Sequence, residues 1–224
     1  MQVDPERISS SQKPVFPIPA RIPIFPLPNV VFFPRMYLPL HIFEPRYRAM
    51  VSDAAAGGQC VGMALLKEGW EEDYYGNPPI FATGCVGRLV SVQPLQDGRF
   101  NILLQGLARY EVGEQFFDKS YRQAQVTLKP GEADVVLDSA LRASLLKLVD
   151  AYHATHEEEP DYQGMLRQGS DDETLIYSLA TYLTLTPLEK QLLMEAESLP
   201  QRARRLMDLI GFKLEERGGL KGWG

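Results

Sequence analysis

GCVGRLVSVQPLQDGRFNILLQGLARYEV, residues 84–112, reads as two strands and the turn between them. Its first half belongs to a long extended run over 80–94. Asp97-Gly98 then marks a tight hairpin turn, because both central positions favour φ > 0. Phe100-Asn101-Ile102-Leu103-Leu104 returns from it, and Gly106 marks a bulge or bend before Ala108, Tyr110 and Val112 resume alternation. A chain that commits nearly thirty residues to one hairpin builds its front half from sheet.

Working outward, 121–128 is expected as a last strand, with Ala124, Val126 and Leu128 on one face. On the other side Gln59–Lys67 is an almost unbroken apolar run. The loop 69–79, GWEEDYYGNPP, separates it from the hairpin. Glu44-Pro45 opens a helix, since proline suits the first helical position. Tyr47, Met50, Val51 and Ala54 form its buried stripe, and Gly57-Gly58 is expected to end it through a left-handed cap. Met36–Leu40 is a short extended run containing Pro39. Arg21–Pro28 is apolar but crowded with proline, which predicts an edge strand or a segment lying on the sheet. So many strands around one helix predict a small, partly closed antiparallel barrel. Residues 1–20 read as a flexible lead-in.

After Pro130-Gly131 the period becomes helical. Leu137, Leu141, Leu145, Leu148, Val149 and Tyr152 trace one face of a long helix, and an acidic stretch from Glu157 to Asp161 breaks it. Capping boxes at Ser170-x-x-Glu173, Thr186-x-x-Glu189 and Ser198-x-x-Gln201 announce three more helices. The last carries Ala203, Leu206, Met207, Ile210 and Leu214 inward and is expected to stop at Gly218-Gly219. The apolar stripe needs a partner, so the β-rich part (21–130) and the helical part (131–224) are expected to bury against each other.

The net charge is −6 and the pI near 5.2, against a surface that tracks phosphates. The acidity sits in the back: 11 basic and 10 acidic residues over 21–130, then 10 and 17 over 131–224. Cys60 and Cys85 lie in apolar strands and read as reduced core thiols. With no apolar leader and no run of ~18 apolar residues, the expectation is a cytoplasmic protein with no membrane span.

Three stretches together resemble the N-terminal substrate-binding domain of Lon-type, ATP-dependent La-like proteases: IPIFPLPNVVFFPRMYLPLHIFEPRYRAM at 22–50, the hairpin at 84–112, and LEKQLLMEAESLPQRARRLMDLI at 188–210. Arg35 departs from the pattern, since many relatives carry glycine there. The resemblance implies an α+β fold, a PUA-like six-stranded β pseudo-barrel followed by a four-helix bundle. It also implies a role in gripping unfolded or tagged polypeptides, with a protease or chaperone on another chain as a further partner. No G-x-x-x-x-G-K-[ST] loop occurs, so neither ATPase nor peptidase activity is expected, and no cofactor or metal.

Aromatic anchors dominate interface energetics, which makes Trp70, Tyr74 and Tyr75 of the 69–79 loop candidates for peptide binding. Phe32 and Phe33, in a proline-bounded turn, are candidates too; the plainer reading is that they plug the barrel end. Ser144 and Lys147 match Ser-x-x-Lys, the spacing of a hydrolase nucleophile and its base, but nothing in the sequence supplies a cleft or an orienting group. His153 and His156, with acids behind them, read as a solvated helix end rather than a metal site. His41 reads as a hydrogen-bonded core histidine. Arg202, Arg204 and Arg205 raise RNA binding as an alternative, but they read more plainly as a solvated face covering apolar surface.

Overall fold

A computed structural model describes residues 16–155 and 171–220. Six strands form one mixed sheet: β1 (Arg21–Leu27), β2 (Tyr37–Ile42), β3 (Cys60–Leu65), β4 (Thr83–Pro94), β5 (Phe100–Phe116) and β6 (Gln123–Leu128). Their order is β2-β5-β4-β3-β1-β6, and β5 also pairs with β6. That last pairing closes β1, β3, β4, β5 and β6 into a barrel, with β2 lying on the first part of β5. The barrel is not wholly antiparallel, because β1 runs parallel to β3.

β1 is also an interior strand despite Pro23 and Pro26, contrary to the edge position expected. Its partners are staggered along it: Arg21, Ile22 and Pro23 pair with β6, whereas Ile24 to Leu27 pair with β3. Each proline therefore faces a single ladder, and its missing N–H can point to the unpaired side.

The hairpin forms as expected but with a different turn. Gly98 alone takes positive φ (80°), and its N–H reaches the Leu95 carbonyl at 3.0 Å. The loop is thus a three-residue connection ending in a left-handed glycine. The bulge near Gly106 is present: Val86 pairs with Ala108 while Gly87 pairs with Gly106. Gly106 is required there, since a Cβ would lie 2.2 Å from the Phe33 carbonyl oxygen.

Alternation along the strands separates two apolar clusters. Ile22, Ile24, Cys60, Ala64, Val86, Tyr110 and Ala124 form one. Phe25, Val61, Met63, Cys85 and Leu104 belong to the other, together with residues of the helices. β3 is buried on both faces, which is why it reads as a continuous apolar run. Helix α1 (Pro45–Ala56) buries Tyr47, Met50, Val51 and Ala54 against β1, β3 and β4. Its left-handed residue is Gln59 (φ 52°), not Gly57, and the Gln59 N–H closes on Ala54 O at 2.8 Å. Phe16 and Ile18, read as part of a flexible lead-in, pack on the first cluster.

Four helices follow among the described residues: α2 (Ser139–Thr155), α3 (Asp172–Tyr182), α4 (Pro187–Met194) and α5 (Leu199–Leu220). Asp138 caps α2 by accepting from Ala140 and Leu141 N–H groups. Asp171 caps α3, accepting from Thr174 N, so the expected cap one residue earlier is displaced; Ser170 itself lies outside the described residues. The Thr186–Glu189 box is complete. Ser198 receives Gln201 N–H at 3.4 Å, but the Gln201 side chain reaches back to Glu197 N rather than Ser198 N. Helix α5 continues through Gly218-Gly219, where a stop was expected.

The larger cluster runs without interruption from Phe33, Met36 and Leu104 of the barrel to Leu175, Ile176 and Tyr177 of α3 and Leu206 of α5. At this seam Glu132 takes hydrogen bonds from Arg109 on β5 (3.2 Å) and Arg202 on α5 (2.8 Å). Arg202 is completely buried and also donates to the Leu193 and Ala196 carbonyls. The solvated-face reading of the 202–205 arginines fails at this position.

Candidate functional site

The 69–79 loop is pinned at its stem, where Leu66 bridges Ile80 and the Lys67 N–H reaches the Pro79 carbonyl. Gly69, at φ 80°, turns it into a short 3-10 segment, Trp70–Asp73. Its three aromatics separate by role. Trp70 is half-buried, packs on the Ile22/Val86/Tyr110 cluster, and meets Tyr74 edge-on with centroids 5.5 Å apart. Tyr74 is half-buried and donates its hydroxyl to Glu44 Oε1 at 2.5 Å. Tyr75 is 87% exposed and leans on Tyr74.

Arg46 organises this group. In the first turn of α1, it places its guanidinium 4.7, 4.8 and 5.7 Å from the ring centroids of Tyr47, Tyr74 and Tyr75. It also donates to the Tyr74 carbonyl at 3.0 Å and pairs with Glu44. A cation held over aromatic faces and bonded to the loop backbone fixes the loop against the helix. Burial pushes the Tyr47 phenol up to about 12; burial, then the Glu44 carboxylate, raises Tyr74. Both phenols stay protonated, and Tyr74 remains the donor to Glu44.

Opposite the loop stands the β5–β6 connection, Phe117–Arg122. Between them lies a cleft of about 190 Å³, walled by Tyr75, Phe117 and Tyr121, with Arg46, Lys119 and Arg122 as its charged lining. Lys119 and Tyr121 both donate to Asp53 Oδ2, at 2.6 and 2.7 Å, and these bonds hold the Asp53 carboxyl below its ordinary value. Arg122 is buried and donates through Nη2 to the Pro78 carbonyl at 2.6 Å. The arrangement offers flat apolar faces beside guanidinium donors.

Of the five aromatics singled out in the sequence, Tyr74 and Tyr75 line this cleft and Trp70 braces it. Phe32 and Phe33 do not belong to it. At 4% and 0% exposure they are core rings, Phe33 tilted against Tyr177 at 5.6 Å and Phe32 packed over Gly87. The 34–36 turn folds them inward between barrel and bundle. Arg46, Phe117, Lys119, Tyr121 and Arg122 were missed; the one signal for the last four is that FFDKSYR at 116–122 repeats the aromatic-rich composition of the 69–79 loop, and Arg46 has none.

Ser144 and Lys147 are exposed on α2 and line no part of the cleft. His41 is exposed rather than core, because β2 alternation turns Ile42 inward; its Nδ1 meets Asn101 Oδ1 at 2.7 Å and its Nε2 meets Arg99 Nη1 at 3.1 Å. His156 lies outside the described residues. Among the described residues no group of three His, Cys, Asp or Glu could hold a metal ion, and no helix is long and apolar enough to cross a membrane.

The Lon protease of Anaeromyxobacter dehalogenans is 28% identical over 202 residues, and Lon protease 2 of Myxococcus xanthus 29% over 202. Each alignment covers 88% of this chain, which spans only 24% of the length of either relative. The N-terminal domain of the Mycobacterium avium complex Lon protease superposes with TM-score 0.64 at 18% identity, covering 85% of this chain and 98% of that one. The crystal structure of a Lon N-terminal domain protein from Xanthomonas campestris gives 0.64 at 22%, covering 84% and 97%. These structures share the fold. Residues 21–211 match the model of the ATP-dependent protease La (LON) substrate-binding domain, and the chain belongs to that family.

Proposed function

We propose that this chain is a non-catalytic polypeptide-recognition module that takes unfolded or tagged segments at the cleft between the 69–79 loop and the 117–122 connection. The observation that carries the reading is the family match to a substrate-binding domain, joined to an exposed aromatic beside guanidinium donors. Tyr75 offers a large apolar face at small conformational cost, as interface anchors do. A non-catalytic role is supported by the exposed positions of Ser144 and Lys147, outside this cleft. Protein clients rather than nucleic acid fit the acidic pI and the buried position of Arg202. A protease or chaperone on another chain would consume what is captured, and two buried free thiols fit a reducing cytoplasm.

The test is capture of fluorescently labelled, unfolded casein, with and without ATP. The expected result is binding that weakens in Tyr75→Ala, with casein left intact. Casein cleavage abolished by Ser144→Ala would overturn the reading in favour of a hydrolase.

A further inference from the structure

The charged side chains that line the cleft are all cations: Arg46, Lys119 and Arg122. Two of them are matched outside the lining, Arg46 by Glu44 and Lys119 by Asp53. Arg122 has no ion-pair partner among the described residues. It is 6% exposed, its Nη2 is taken by the Pro78 carbonyl, and its Nη1 is shielded from water without a hydrogen-bond partner. Asp73 acts on it through space, but that carboxylate accepts from the Asn77 N–H at 3.0 Å and makes no hydrogen bond to the guanidinium.

A guanidinium does not shed its charge at physiological pH, so a buried and incompletely bonded one favours an incoming anion. Phe117 lies with its ring centroid 5.7 Å from this guanidinium, so the anion site adjoins an apolar wall.

We propose that the cleft binds a carboxylate carried by a polypeptide, with Arg122 as the receiving group and Tyr75, Phe117 and Tyr121 packing on the residues beside it. This rests on the polypeptide-recognition reading and names the chemistry of what is recognised. One unmatched cation suits a monoanion better than a phosphate dianion, and the planar fork of arginine matches a carboxylate. Size agrees: about 190 Å³ falls below the ~300 Å³ at which pockets for drug-sized ligands begin. The space suits a chain end or one acidic side chain with a neighbour, not a long segment.

Calorimetric titration of the full chain decides it, using N-acetyl-Ala-Tyr-Ala as free acid, the same peptide amidated, and amidated N-acetyl-Glu-Tyr-Ala. At least one carboxylate-bearing peptide should bind tenfold or more tightly than the amidated Ala-Tyr-Ala. Preference for the free acid assigns a chain terminus; preference for the Glu peptide assigns an acidic side chain. In Arg122→Gln the acid and amide forms should bind alike. Should that variant lose its fold along with the Pro78 contact, the acid–amide comparison on the unaltered chain still decides. Inorganic phosphate displacing the acid peptide at equal concentration would overturn the assignment, showing a general anion site. Unfolded casein is titrated in parallel. Casein bound without any acid preference overturns the carboxylate site and leaves polypeptide recognition standing, whereas loss of both overturns the two together.

Discussion

Arg35 holds a left-handed backbone (φ 66°), a conformation that costs an L-residue roughly 1–2 kcal/mol. The turn keeps it because both edges are bonded: Arg35 N–H donates to Gly106 O, and Gly106 N–H to Met36 O, each at 2.8 Å. What arginine adds is reach. Its guanidinium donates to Asp171 Oδ2 at 2.8 Å and to Thr174 Oγ1 at 3.1 Å, and meets Glu173 Oε2 at 3.1 Å, tying the barrel to the start of α3. Strain and bridge can be separated by two substitutions. Arg35→Ala keeps the strain and loses the bridge, so it should be the least stable; Arg35→Gly loses both and should recover about 1 kcal/mol over alanine. Chemical denaturation gives the order, and a glycine variant weaker than the alanine one would show that the turn stores no strain. The aromatic loop separates in the same way. Tyr75→Ala should weaken client capture with the melting temperature unchanged, since the ring is 87% exposed. Trp70→Ala should lower the melting temperature by several degrees, because Trp70 packs on the barrel cluster. Equal thermal loss in both variants would remove Tyr75 as a surface anchor.

Gly106 shows at the scale of an element how a strand is fitted to the turn that crosses it. Alanine there would drive its Cβ to 2.2 Å from a backbone oxygen, which no side-chain motion relieves. Gly106→Ala should therefore cost ~3 kcal/mol, as severe overpacking does. Gly131→Ala, facing open space, should change stability by less than ~0.5 kcal/mol. Denaturant midpoints measured side by side check the pair, and similar losses would mean that the β5 bulge adapts freely. The bulge itself was legible in the sequence, as were the hairpin, the α1 stripe and the order of the helices, because each rests on local periodicity or a residue's φ preference. What was not legible depends on partners distant in sequence. Pro23 and Pro26 argue for an edge, and only the staggered pairing to β6 and β3 makes β1 interior. Phe32 and Phe33 look like loop aromatics until α3 is laid over them. The cleft was half legible: the loop aromatics announce themselves, but Arg46 and Arg122 acquire meaning only when α1 and the β5–β6 connection meet that loop.

Across the whole molecule, burial sets the response to alkali. Burial pushes Cys60 up to about 11 from 9.0, and Tyr47 and Tyr177 up to about 12 from 10.0. The unfolded chain releases these protons first, so their contribution is whole below pH 9 and is lost as the pH climbs from about 9 to 12. A melting temperature that stays flat across that window would contradict the burial of these groups. The seam between barrel and bundle sets the cooperativity. Two buried guanidiniums, Arg109 and Arg202, share the Glu132 carboxylate, and the Glu132 N–H returns a bond to Glu173 at 3.0 Å. Burial, with the neighbouring Arg202 charge acting the same way, lowers the Arg109 pKa; Tyr177 and the two carboxylates oppose it. Removing the shared carboxylate in Glu132→Ala leaves two desolvated cations facing each other, at a cost of about 3–5 kcal/mol. Replacing all three together, Glu132→Leu with Arg109→Met and Arg202→Met, removes charge and partner at once and should restore most of that loss. The apolar cluster crosses the seam independently of these charges, from Phe33 to Tyr177, so every variant should unfold in a single transition. Scanning calorimetry checks both points. A triple variant no better than Glu132→Ala would show that the charges carry stability outright, and two separated transitions in Glu132→Ala would show that the salt-bridge cluster, rather than the shared core, joins barrel to bundle.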